Sequence, residues 1–151
     1  MVANLKEAEN SLYEQDFCLW LENTAQLLKN GKLSELDLPN LIEEVEAMGR
    51  SEKNALTSNL KIVLMHLLKH KYQSEKISNS WLCTIFEHRD RLDELFKTSP
   101  SLKNYFTQEF DNCYTKARKK ASLETGLPLD TFPEKSPFTQ EQVLDSEFLP
   151  E

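Results

Sequence analysis

The apolar spacing between Asp37 and Gln73 admits one kind of element, a long helix, and most other features of the chain follow from it. Pro39 sits where a first helical turn tolerates proline, and Asp37 is placed to cap. Leu41, Ile42, Val45, Met48, Leu56, Leu60, Val63, Leu64, Leu67 and Leu68 then recur at helical intervals. At 3.6 residues per turn, Val45, Leu56 and Val63 share the centre of one face, which is expected to be buried. Beside that line run Glu52, Asn59 and His66, seven residues apart, with His70 one turn further. A buried polar group without a partner costs on the order of 1–3 kcal/mol, so such a ladder must be hydrogen-bonded or functional. Gly49 interrupts the helix, but the apolar phase is the same on both sides, which favours one continuous helix over a break at Arg50 with Ser51 as a new cap.

Three further helices are expected. Asp16 caps the first, which runs to about Asn30 with Phe17, Trp20, Leu21, Leu27 and Leu28 on its apolar side, and Gly31 stops it. After a polar loop from Gln73, the third runs from about Ser80 to Thr98 on Trp81, Leu82, Ile85, Leu92, Leu95 and Phe96. Ser99-Pro100 opens the fourth, whose stripe from Leu102 to Ala121 ends near Gly126. Four of the 6 prolines follow Gly126, so the remaining stretch is extended, with one short helix from Thr139 to Asp145. Leu129, Phe132, Phe138 and Leu144 are its expected apolar anchors. The predicted fold is all-α: an up-and-down bundle of four helices built on the long central one, with the C-terminal segment packed on it. Residues 1–12 read as a frayed start, 13–126 as the bundle, and 127–151 as an acidic, proline-rich segment of the same domain.

A chain of 151 residues with 39% hydrophobic and 28% charged residues suits one globular domain. No apolar run reaches the roughly 18–20 residues that cross a bilayer, and no signal peptide is visible, so the expected location is the cytoplasm without a membrane partner. Cys18, Cys83 and Cys113 are odd in number and widely spaced, which argues for free, buried thiols. The net charge of −7 is uneven. Residues 122–151 hold seven acids against Lys135 alone, a net of −6, so the rest of the chain is almost neutral.

The ladder gives the candidate site residues Glu52, Asn59, His66 and His70, joined by Arg89, which falls between Ile85 and Leu92 on the apolar side of the third helix. A buried arginine needs a partner, and Glu52 is the expected one. His66 and His70 could share a metal by spacing, but the glutamate of an HExxH motif is missing. Glu43-Glu44-Val45-Glu46 complements the start of a helix dipole, and no ExxH pair supports a di-metal bundle. Metal and cofactor are therefore both expected to be none. Lys116, Arg118, Lys119 and Lys120 end the fourth helix, and in an up-and-down bundle Lys69 and Lys71 join them as a basic pole, expected to be a solvated helix end. With a negative chain and no nucleic-acid motif, a nucleic acid is not the expected partner. No glycine-rich phosphate loop, GxSxG or Cys–His nucleophile pattern appears, and no catalytic residue is assigned.

The run Leu36-Asp37-Leu38 … Leu41-Ile42-Glu43-Glu44-Val45-Glu46-Ala47-Met48-Gly49-Arg50-Ser51-Glu52 resembles the family catalogued as domain of unknown function 29. Leu64-Met65-His66-Leu67-Leu68-Lys69, Ser80-Trp81 with Ile85 and Arg89, and Glu124-Thr125-Gly126-Leu127-Pro128 followed by Phe132-Pro133 extend the likeness from about Tyr13 to Pro150. His70 departs from the aromatic residue expected there, which argues against a two-histidine metal site. The resemblance implies an all-helical domain, common in cyanobacteria and other bacteria, and implies no reaction. The function expected from the sequence is a non-enzymatic interaction or regulatory module with a protein partner; the alternative is a bundle that binds a metal or an anionic ligand through the ladder near His66, with enzymatic activity left open. Oligomeric state has no sequence signal.

Overall fold

The computed structural model describes residues 12–151. Every regular element among them is helical: α1 (Phe17–Lys29), α2 (Leu38–Tyr72), α3 (Asn79–Thr98), α4 (Leu102–Thr125) and the short α5 (Gln140–Leu144), linked by 3-10 turns. The fold is all-α. The expectation of a frayed start falls, Leu12 apart, outside the described residues.

Local chemistry sets the helix ends. The Asp16 carboxylate accepts from the Leu19 amide at 3.0 Å, and Gly31, at φ 69°, closes α1 in the left-handed region that glycine enters without strain. Asp37 accepts from Asn40 at the start of α2. Ser78 caps α3, and Gly126, at φ 74°, ends α4. Thr139 and Gln142 form a reciprocal capping box on α5, satisfying two backbone donors that a five-residue helix leaves open. Gly49 lies inside α2, which is one helix of 35 residues.

The chain divides into two compact units, residues 1–50 and Ser51–Glu151. In the first, Tyr13, Phe17 and Trp20 form an aromatic cluster with ring centroids 4.9–5.9 Å apart. The Tyr13 hydroxyl donates to the Glu44 carboxylate, which raises the phenol to about 12. Only Trp20 and Thr24 are buried among residues 12–50. The sequence expectation of a buried face at Val45 is corrected here: Leu38, Ile42, Val45 and Met48 are 52%, 53%, 60% and 69% exposed. Helical phase dictates which residues share a face, and here no described residue covers that face.

In the second unit, α2 is central. Leu56, Leu60, Val63, Leu64, Leu67 and Leu68 are all fully buried, on more than one side of the helix, as a surrounded helix requires. α3 runs antiparallel to it, since Asn59 meets His88 while His66 meets Trp81. α4 runs parallel to it, since Thr57 meets Cys113 while Lys69 meets Glu124. Three of the four predicted long helices thus build this unit in up-down-up order; α1 belongs to the other unit.

The C-terminal segment completes the core with Phe132, Phe138 and Val143. Of its four expected anchors, Leu129 and Leu144 are instead exposed. On so short a helix as α5 a one-residue step changes the face, and Val143 takes the inward position. Cys113 is buried, but Cys18 and Cys83 are exposed, contrary to expectation, because each lies off the covered stripe of its helix.

Candidate functional site

The polar ladder does not converge on one site. Glu52 is exposed and lines a cavity of about 340 Å³ with Asn59, Arg91 and Glu94. Asn59 is buried, donates to the Ala55 carbonyl at 2.7 Å, and places its side-chain oxygen 2.6 Å from Nδ1 of His88. That contact explains one rung of the ladder as a helix-to-helix hydrogen bond. Because an amide oxygen can only accept, Nδ1 of His88 is the donor, and burial lowers the pKa of the ring.

Two turns further along α2, His66 lies against Trp81, with ring centroids 6.4 Å apart and planes at 18°. Lys69 sets its ammonium 4.4 Å from the Trp81 centroid and 3.3 Å from the Glu124 carboxylate. Burial first, and the Lys69 charge second, pull the His66 pKa down to about 4. Its Nδ1 and that of His70 are buried without a hydrogen-bond partner among the described residues. His66, Lys69, Trp81 and Glu124 come from three of the segments that carry the family resemblance. The cluster supplies a neutral imidazole and a paired cation; elsewhere in the unit, burial pushes the thiol of Cys113, the one buried cysteine among the described residues, up from its ordinary value. No three His, Cys, Asp or Glu side chains among the described residues gather as a metal ion would require.

Arg89 has a different partner from the one its sequence position suggested. It is buried, yet its guanidinium donates to three backbone carbonyls of the C-terminal segment: Val143 at 2.8 Å, Phe148 at 2.9 Å and Gln142 at 3.1 Å. Glu52, its expected partner, is exposed and makes no ion pair among the described residues. Carbonyls at the end of α5 carry the negative end of the backbone dipoles and accept from a cation without a carboxylate. Burial lowers the Arg89 pKa, partly offset by Asp145.

The expected basic pole is also divided. Lys69 is buried and paired, and Arg118 donates through Nε to the Phe132 carbonyl at 2.9 Å. Tyr114, raised to about 12 by burial, donates to the Pro133 carbonyl at 2.5 Å. These two fasten the segment to α4, beside an open groove of about 860 Å³ that also exposes Asp111, Glu134, Lys135 and Glu141. Lys71, Lys116, Lys119 and Lys120 are exposed. Sequence reasoning missed Lys61, which lines one trough with Lys116 and Lys120 between the parallel α2 and α4. Its signal, a lysine two turns before Lys69, is legible only once that pairing is known.

The sequence model described as Domain of unknown function DUF29 matches residues 12–149. The chain belongs to this family. No curated protein and no solved structure matches it. The matched residues include parts of both compact units. Among its described residues no helix is long and apolar enough to cross a membrane.

Proposed function

We propose that this DUF29 domain is a non-enzymatic interaction module that takes a basic, amphipathic helix of a partner protein. The observation that carries the reading is the exposed stripe Leu38, Ile42, Val45 and Met48 on the first half of α2. Phe17, Leu21 and Leu28 of α1, in the same unit, are exposed as well. An apolar patch of this kind on an otherwise polar surface marks a binding face more often than a solvated one. Residues 12–50 carry eight acids and three bases, a net of −5, which selects a basic partner. An amphipathic helix laid along α2 would bury its apolar face on the stripe and set its cations against the flanking acids. The cytoplasm of a bacterial cell is the setting we assign, where the exposed Cys18 and Cys83 would stay reduced.

A labelled peptide with leucines at helical spacing and lysines elsewhere should bind the full chain in a fluorescence-anisotropy titration. Val45→Asp and Met48→Asp should weaken that binding at least tenfold without lowering the melting temperature, since both side chains are exposed. A glutamate version of the peptide should not bind. Unchanged affinity in the two aspartate variants, or sedimentation as a dimer that those variants dissociate, would overturn this reading.

A further inference from the structure

In the second unit, the parallel pair α2 and α4 leaves a trough of about 360 Å³ above Ala117, whose methyl side chain cannot fill it. Ser58, Lys61 and Ile62 of α2 face Lys116 and Lys120 of α4 across this space. No carboxylate lines it. None of the ion pairs among the described residues involves these three lysines, whereas Lys69 and Lys97 each hold a carboxylate within 4 Å. Three lysines from two helices thus line one hollow, and none of them holds an ion pair among the described residues. Their repulsion opposes folding: Lys116 and Lys120 are one turn apart, where like charges cost a few tenths of a kcal/mol. A bound anion would reverse that cost.

We propose that this trough binds a phosphate monoester dianion. Lys61, Lys116 and Lys120 supply positive charge from both walls, and the Ser58 hydroxyl can donate to a phosphate oxygen. Ile62 and Ala117 form an apolar floor for the body of a small organic phosphate. The volume lies at the small end of the range for ligand pockets, roughly 300–1,000 Å³, and suits a sugar phosphate rather than a polymer. A nucleic acid would need basic charge extended along its backbone and aromatic faces for its bases, and the trough offers neither. This site is independent of the apolar face on the other unit.

The test is calorimetric titration of the full chain with inorganic phosphate and with glucose 6-phosphate, using glucose and a 20-nucleotide RNA as comparisons. Glucose 6-phosphate should bind one to one, with affinity falling at least tenfold in Lys61→Gln/Lys120→Gln and with rising salt. Lys97→Gln, whose lysine pairs with Asp93 elsewhere, should leave it unchanged. The paired glutamine variants should melt no lower than the parent, because a repulsion is removed. Tighter binding of glucose 6-phosphate than of inorganic phosphate assigns the site to an organic phosphate, and equal binding assigns it to the free ion. The proposal is overturned if neither phosphate binds at millimolar concentration, if glucose binds equally well, or if binding survives the lysine substitutions. RNA that binds more tightly than either phosphate, and loses affinity in the same variants, would also overturn it.

Discussion

The Arg89 guanidinium donates through Nε to the Val143 carbonyl at 2.8 Å, joining α3 to the C-terminal segment across 54 residues of sequence. Two more donors reach Gln142 and Phe148, so one buried side chain fixes both ends of the turn that follows α5. The charge rests on three backbone carbonyls, with Asp145 adding a favourable field, and this makes the segment part of the fold of its unit.

Arg89→Ala should therefore destabilise the protein by about 2–4 kcal/mol, because one buried and two part-buried carbonyls lose a charged donor. Arg89→Lys should recover less than half of that, since an ammonium cannot present the planar fork that reaches three acceptors. Glu52→Ala should change stability by less than about 0.5 kcal/mol, as an exposed substitution does. Urea unfolding measures all three. Equal losses for Arg89→Ala and Glu52→Ala would restore the ion pair that the sequence suggested.

A second prediction concerns acid. The unfolded chain protonates His66 near its ordinary 6.5, while the folded chain holds it neutral down to about 4. The stabilisation from keeping the ring neutral is complete above about pH 6.5 and is lost progressively as pH falls to about 4. Each pH unit between those two values is worth about 1.36 kcal/mol, about 3.4 kcal/mol in all for a fully buried ring, and the partly exposed His66 should lose less than that. His88, also lowered by burial, acts in the same direction. His66→Phe keeps a ring against Trp81 and removes the titration, so its unfolding free energy should vary less between pH 6.5 and 4. Parallel stability–pH curves for the variant and the parent would show that His66 is not held neutral.

What the sequence made legible was local. Asp16, Gly31, Asp37, Gly126 and Thr139 act within one turn of their own positions, and each element begins or ends where they stand. Burial was not legible in the same way. Val45 and Val63 have the same helical phase, yet Val63 is fully buried and Val45 faces solvent, because phase does not say which stretch of a face finds a partner. Arg89 was recognised as a buried cation, but every residue carries a carbonyl, so its true acceptors left no mark that a lone carboxylate such as Glu52 could not outshine. The lysine trough needs the register of α2 against α4, which no local pattern encodes.

The last prediction separates apolar anchoring from charge in the C-terminal segment. Phe132 is fully buried and its ring lies 5.5 Å from that of Tyr72, edge to face, whereas Leu129 three residues earlier is exposed. Phe132→Ala should cost about 3–5 kcal/mol through lost burial and the cavity left behind. Leu129→Ala should stay within about 0.5 kcal/mol. Removing residues 127–151 should lower the melting temperature well beyond either substitution, since Phe138, Val143 and the Arg89 acceptors leave together. Half-molar salt should change the parent's melting temperature little, because screening weakens exposed ion pairs and leaves apolar burial intact. A truncated chain that melts with the parent, or a parent that loses most of its stability in salt, would mean that the acidic charge and not the buried rings holds the segment in place.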